Sequence, residues 1–445
     1  MSTHTKPSLA GRGQAFGLRL IARAGGLEAM KNPVLRAKVE RILYKSAQQG
    51  FKAQTTAGRA FTRRAGSGAA NRPERTTRRR EFDLRPSEDQ EMIQEAAREL
   101  ADEVIRPAGG QADTDRAIPA DVRIHAISMG LTLVGVPTEL GGVAEEASAV
   151  TSVLVLEELA RGDMGLAVAL MSSAAVANAL VNYGNSAQQQ TFLPPFTDDD
   201  DPATGALALM ESQPLFDPMK PLTTARLEGT GGSHIVIDGT KSLVVSAGTC
   251  DLYIVSALLD GEPRLILVEP GTPGLSTCDD PAMGIRAAAT GLLRLDAVRV
   301  PSSNVLGTAA DMRDAVRRSR LAWAAAAVGT GQAVVDHLKA YTVQRTAFGE
   351  PIAWRQAVAF TIADAAIEVD ALRLVVWRAA AQLDAGLDPA ASIAHARSLT
   401  STYLTRVGSD GVQLLGGHGF VKEYDNERWY RDLRGAGVLE GTLLV

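Results

Sequence analysis

One glutamate near the end of the chain, Glu440, stands among apolar residues and is followed by Gly441 and Thr442. A lone carboxylate in an apolar setting is a candidate general base. The competing reading is a solvated carboxylate at a helix end. Just upstream lie Gln413, Leu414, Leu415 and then Gly416, Gly417, His418, Gly419 and Phe420. A glycine cluster lets another group come close to the backbone, although a glycine pair also ends helices. Further upstream are Arg345, Thr346, Ala347, Phe348 and Gly349, then Gln356. Arg345 has a plain alternative as a helix C-terminal cap, and Phe348 as the core of a turn. Arg431 and Asp432 read as a structural ion pair. None of these signals is specific alone. Six scattered histidines and two cysteines, Cys250 and Cys278, offer neither metal spacing nor a disulfide framework.

The elements that must position these residues follow from pattern. A chain of 445 residues has room for two to three domains. It is rich in Ala and Gly and poor in aromatics, which suits packed helices with small interface residues. No apolar run reaches the roughly 20 residues of a membrane span; the best candidate, Leu321 to Val335, is short. Residues 1–82 form a basic extension. Within residues 1–80, 18 Lys+Arg face 3 Asp+Glu, against 28 and 48 in the remainder. Phe16 to Arg23 and Val34 to Phe51 are candidate basic amphipathic helices, and Thr55 to Arg80 reads as disordered. The arm is expected to be a solvated tail, a peripheral membrane or partner contact, or an organelle transit peptide. Nucleic-acid binding is not expected, because no known module accompanies the charge. The default location is cytoplasmic.

Residues 83–202 read as an N-terminal α domain. Ser87 and Gln90 form a capping box, and Pro107 is expected to end the first helix. Val150 to Arg161 and Leu166 to Asn182 are two further helices. Residues 203–309 switch to period two and read as an antiparallel β domain. There Ile235 to Ile237, Asp238-Gly239 and Ser242 to Val245 suggest a hairpin. Residues 310–445 are helical again. Ile362, Ala365, Val369, Leu372, Val376, Ala379 and Leu383 mark one helix face, stopped by Gly386, in an expected four-helix bundle.

This order of helices, sheet and bundle, with the Gln413–Gly417 run, Arg345–Gly349, Gln356 and the Glu-Gly-Thr motif, resembles the acyl-CoA dehydrogenase family over residues 82 to 445. The resemblance implies FAD-dependent α,β-dehydrogenation of an acyl-CoA thioester, with electrons passed to an electron-transfer flavoprotein. It places the base on Glu440 and substrate contacts on Arg320 and Gly441. It places FAD contacts on Arg345, Phe348, Gln356, Gln413, Gly416, Gly417 and Thr442, where an arginine suits a diphosphate and glycine N–H groups suit phosphate oxygens. It also implies a homodimer or homotetramer.

The sequence departs from the family in the β domain. Met210 replaces a threonine, Leu215-Phe216 a Gly-Ser pair, and Leu243 to Val245 a Trp-Ile-Thr strand. Family members also usually continue through another helix, whereas this chain stops three residues after Thr442. These changes predict weakly held flavin. They also support an alternative: a non-catalytic or half-site subunit of a hetero-oligomer that completes a partner's flavin site.

Overall fold

The computed structural model describes residues 84–142, 147–198 and 200–445. The expectations for Phe16 to Arg23, Val34 to Phe51 and Thr55 to Arg80 lie outside the described residues.

The first helices are α1 (Glu88–Leu100) and α2 (Arg106–Asp115), joined by a wide π-type turn, Ala101–Ile105. Ser87 caps α1 through the expected box: its hydroxyl accepts from Gln90 N, and the Gln90 side chain accepts from Ser87 N. Such a cap is worth about 1 kcal/mol. Pro107 does not end the helical run, contrary to expectation. The Arg106 N–H bonds five residues back to Ala101 O, and Pro107 falls in the first turn of α2, where a missing N–H is tolerated. After α3 (Ala120–Ser128) come α4 (Ala149–Gly162), α5 (Met164–Tyr183) and α6 (Ser186–Phe192). Helix α5 is long and apolar enough to cross a membrane, unlike Leu321 to Val335, but nearly all of it is buried in the protein. It is the core helix of the N-terminal domain. Its N-cap is Asp163, whose Oδ1 accepts from Leu166 N at 2.9 Å and whose Oδ2 accepts from Arg428 Nε at 2.7 Å.

The sheet contains β1 (Gly205–Ala208), β2 (Thr224–Glu228), β3 (His234–Val244), β4 (Leu252–Leu259), β5 (Glu262–Val268), β6 (Leu275–Asp279), β7 (Gly291–Pro301) and β8 (Val305–Leu306). Their order is β6-β7-β3-β2-β4-β5-β8, with β1 on β4. Pairing is mainly antiparallel; β4 takes β1 and β2 in parallel. Asp238-Gly239 is not a hairpin turn. Both flanking runs belong to one strand, β3, and the dipeptide marks a register shift against β7. The Asp238 carboxylate holds the bulge by accepting from Ala297 N and Arg226 Nη1, each at 2.8 Å. A further constraint is the buried Lys241, whose Nζ donates to Glu211 Oε1 at 2.7 Å and to Ser256 Oγ at 2.9 Å.

The C-terminal bundle has three long helices, α7 (Ala309–Gln344), α8 (Gln356–Asp384) and α9 (Ala390–Leu415), and a short fourth, α10 (Asn426–Leu433). A small hairpin, β9 (Thr346–Ala347) and β10 (Glu350–Pro351), joins α7 to α8. The expected α8 stripe is the packed one: Ala365, Val369, Leu372, Val376 and Ala379 are buried, and Gly386 follows in the left-handed conformation. Helix α4 packs on α7 and α8, so the N-terminal domain and the bundle share a core.

Candidate active site

Glu440 lies after the last short helical turn, and α7 and α9 hold it from two sides. Its side chain is 8% exposed. Arg320, on α7, donates from Nε to both carboxylate oxygens at 3.1 and 3.0 Å and from Nη2 to Oε1 at 2.9 Å. Arg397, on α9, donates from Nη2 to the same Oε1 at 3.1 Å and to the carbonyls of Gly437 and Leu439 at 3.2 and 2.9 Å. Burial lowers the Arg397 pKa, while the Glu440 charge opposes that shift. The solvated helix-end reading of Glu440 therefore fails: the carboxylate is sheltered and ion-paired.

The backbone after Glu440 is fixed as tightly. Gly441 adopts φ 78°, and Thr442, although not glycine, φ 72°. The Gly441 carbonyl accepts from Ser319 Oγ and Trp323 Nε1, both at 2.9 Å. Thr442 N donates to Leu207 O on β1 at 3.0 Å. A Cβ on Gly441 would stand 2.9 Å from both Leu207 O and Leu209 Cβ, so only glycine fits without displacement. Arg320, Gly441 and Glu440, which the family resemblance assigned to base and substrate contacts, thus meet.

The cofactor candidates form a second region. Arg345 is the C-cap residue of α7, as its plain reading had it, and its side chain is exposed. Phe348 is 95% exposed at φ 55° in the turn between β9 and β10, so it is not turn core. Gln356 opens α8 and is exposed. Gln413 is exposed in the last turn of α9, and Gly416 caps that helix at φ 60°. A Cβ at Gly349, Gly416 or Gly417 would meet nothing within 4 Å. These residues present exposed backbone, a guanidinium and an exposed aromatic ring with the Arg355 guanidinium over one face, a set that fits an approaching dinucleotide. Next to them, Tyr341 and His418 Nδ1 lie 2.8 Å apart, and the His418 ring stacks on Tyr424.

The sheet side is poorer in donors. Leu243 N donates to Asp280 Oδ2 at 3.0 Å, so this main-chain donor is occupied, and Met210 O accepts from Ser242 N at 3.0 Å. Leu215 is wholly exposed and left-handed, at φ 56°. No group of three or more His, Cys, Asp and Glu side chains suited to a metal occurs among the described residues.

Arg431 and Asp432 do not pair with each other. Arg431 forks onto Asp113 and Glu427, and Asp432 Oδ1 accepts from Ile285 N at 2.5 Å. Both are structural: Arg431 joins Glu427 on its own helix to Asp113 on α2, and Asp432 holds the Ile285 backbone. Sequence reasoning also missed Arg397 and Trp323. The signals were there: Arg397 is a cation on the face of α9 that also carries Ile393, Thr400 and Leu404, and Trp323 interrupts a run of alanines.

Three family models match in order: the acyl-CoA dehydrogenase N-terminal domain over residues 87–200, the middle domain over 206–298 and the C-terminal domain over 307–444. The chain is 30% identical over 375 residues to acryloyl-CoA reductase (NADH) of Anaerotignum propionicum, covering 82% of this chain and 94% of that protein. It is 30% identical over 366 residues to the mitochondrial short-chain specific acyl-CoA dehydrogenase of Rattus norvegicus, covering 80% and 87%. The butyryl-CoA dehydrogenase structure from Megasphaera elsdenii superposes with a TM-score of 0.73 at 26% identity, covering 80% and 95%. The chain belongs to the acyl-CoA dehydrogenase family, whose oxidoreductases use FAD.

Proposed function

We propose that this protein dehydrogenates an acyl-CoA thioester between its α- and β-carbons, with Glu440 as the base. The observation that carries the reading is the sheltered Glu440 carboxylate, aligned by Arg320 beside the left-handed Gly441-Thr442 turn. Glu440 accepts the α-proton on a carboxylate oxygen. Arg320 orients that carboxylate, and burial excludes competing water. FAD, when bound, supplies the hydride acceptor for the β-hydrogen. Arg345, Phe348, Gln356, Gln413, Gly416, Gly417 and Thr442 are the residues we assign to holding it. Electrons pass onward to an electron-transfer flavoprotein.

The test is anaerobic bleaching of flavin absorbance on addition of acyl-CoA thioesters. Glu440→Gln is nearly isosteric and cannot take the proton. We expect it to keep fold and flavin while kcat falls by at least the roughly 10²–10⁴-fold worth of a positioned base. Equal bleaching in wild type and mutant would remove Glu440 from the role.

A second reading is favoured by the Leu243 N–H, a main-chain donor already held by Asp280. In it the chain is a half-site subunit whose bundle completes a partner's flavin site. Wild type that binds flavin yet never bleaches with any thioester would favour this reading.

We also infer a dimer or tetramer. Phe360, Ile367 and Leu374 recur every seven residues along α8, all more than half exposed, beside exposed Trp354. An apolar stripe of that kind marks an interaction face. The proposed location is cytoplasmic, with residues 1–82 in peripheral contact with anionic membranes. Pelleting with anionic vesicles that disappears at high salt would support the contact, and no pelleting at low salt would remove it.

A further inference from the structure

Beside Glu440, one side chain fills more space than any of its neighbours along α7. Trp323 lies three residues after Arg320 and is fully buried. Around it the helix carries Ala322, Ala324, Ala325, Ala326 and Ala327, all buried. Its Nε1 donates to the Gly441 carbonyl, so the indole is fixed against the residue that follows the base. The far side of Gly441 is closed by Leu207 and Leu209, whose atoms leave no room even for a methyl group. Leu439 and Leu443, on either side of the motif, are buried as well. Arg320 and Arg397 occupy the carboxylate itself.

The surroundings of Gly441, next to the proposed base, are therefore close-packed. Packed interiors do not yield to extra methylenes without strain. An apolar cavity of about 370 Å³ lies elsewhere among the described residues. It lies between α3, α5 and the sheet, lined by Ile118, Ile127, Leu131 and Leu170, and neither Glu440 nor Trp323 borders it.

We propose that Trp323 sets the acyl-chain length: its indole closes the acyl chamber, and the site takes only short acyl groups, of propionyl or butyryl size. This rests on the reading of Glu440 as base. The experiment is calorimetric titration of the flavin-loaded protein with crotonyl-, hexenoyl-, octenoyl- and dodecenoyl-CoA, which report binding without turnover. Wild type should bind crotonyl-CoA best and lose affinity at octenoyl-CoA and beyond. Trp323→Val should shift the preference toward longer chains, tightening octenoyl-CoA relative to crotonyl-CoA by about fourfold for each methylene the opened space accepts. Trp323→Phe keeps most of the bulk and should keep the short preference. Dodecenoyl-CoA binding to wild type as tightly as crotonyl-CoA overturns the proposal alone. Failure of every thioester to bind wild type, crotonyl-CoA included, overturns the acyl-CoA reading and this proposal with it. The wild-type series decides the matter even where Trp323→Val does not fold.

Discussion

Arg397 Nη2 lies 3.1 Å from Glu440 Oε1, across 43 residues of chain. The contact ties the last long helix to the candidate base, and the same nitrogen also serves the Gly437 and Leu439 carbonyls. One guanidinium therefore sets both the path of the segment and the direction of the carboxylate at its end.

Replacing Arg397 by Met should cost stability and misplace Glu440. Two carbonyls and a carboxylate oxygen lose a donor, and each buried group left unsatisfied costs about 1–3 kcal/mol. Arg397→Lys should recover part of both effects. We expect kcat to fall more than KM rises. Urea denaturation together with steady-state kinetics checks this; a variant with wild-type kcat would make Arg397 purely structural.

The Glu211–Lys241 pair should respond asymmetrically to mutation. Glu211→Gln strands the fully buried Lys241 charge and should destabilise by about 3–5 kcal/mol. Lys241→Met should cost less. It leaves Glu211 with donors from Leu222 N, Thr223 N and Thr223 Oγ1. Burial pushes the Lys241 pKa down to about 8 despite Glu211, whereas Glu211 is held below the usual carboxylate range. Burial works against the lowering of Glu211, and the Lys241 charge and hydrogen bond, with the Thr223 N–H and hydroxyl, outweigh it. A depressed acid stabilises above its unfolded pKa, and that contribution is lost as pH falls through the folded value. Acid should therefore destabilise wild type more than Glu211→Gln below about pH 4.5. Equal acid sensitivity would assign the loss to other carboxylates.

Flavin should be held weakly, and Met210→Thr combined with Leu215→Gly and Phe216→Ser should tighten it. Glycine at 215 also removes a left-handed leucine, a conformation that favours glycine. Flavin retention through gel filtration is the measurement. Full stoichiometric occupancy in wild type would show that main-chain contacts suffice.

Light scattering should give a mass at least twice the 46.9 kDa of the chain. Phe360→Glu with Ile367→Glu should lower it by charging the exposed face of α8. If α8 is the interface, flavin should be lost in parallel. A monomeric wild type at micromolar concentration would overturn the assembly.

Legibility from sequence tracked how local each signal was. The Ser87–Gln90 box and the α8 stripe depend on neighbours within a turn or two, and both fold as written. Asp238-Gly239 is locally a turn signal, but the register of β7 decides its geometry, and β7 lies some fifty residues on. Pro107 was misread because the preceding π-type turn shifts the hydrogen-bond register. Glu440 and Arg320 were each singled out by the family resemblance, but their ion pair, 120 residues apart in the chain, was not. Arg397 required knowing which face of α9 turns toward the end of the chain.

The cap on α5 has a consequence for synthesis. Asp163 closes the N-terminus of the most apolar helix, and its second carboxylate oxygen is held by Arg428, 265 residues later. While the chain is still being made, that helix emerges long before its clasp. Neighbours made early, α4 and β1, already cover the helix, but until α10 emerges the Asp163 carboxylate lacks its guanidinium partner, so the N-terminal domain of a ribosome-bound chain should consolidate fully only after the final helices leave the exit tunnel.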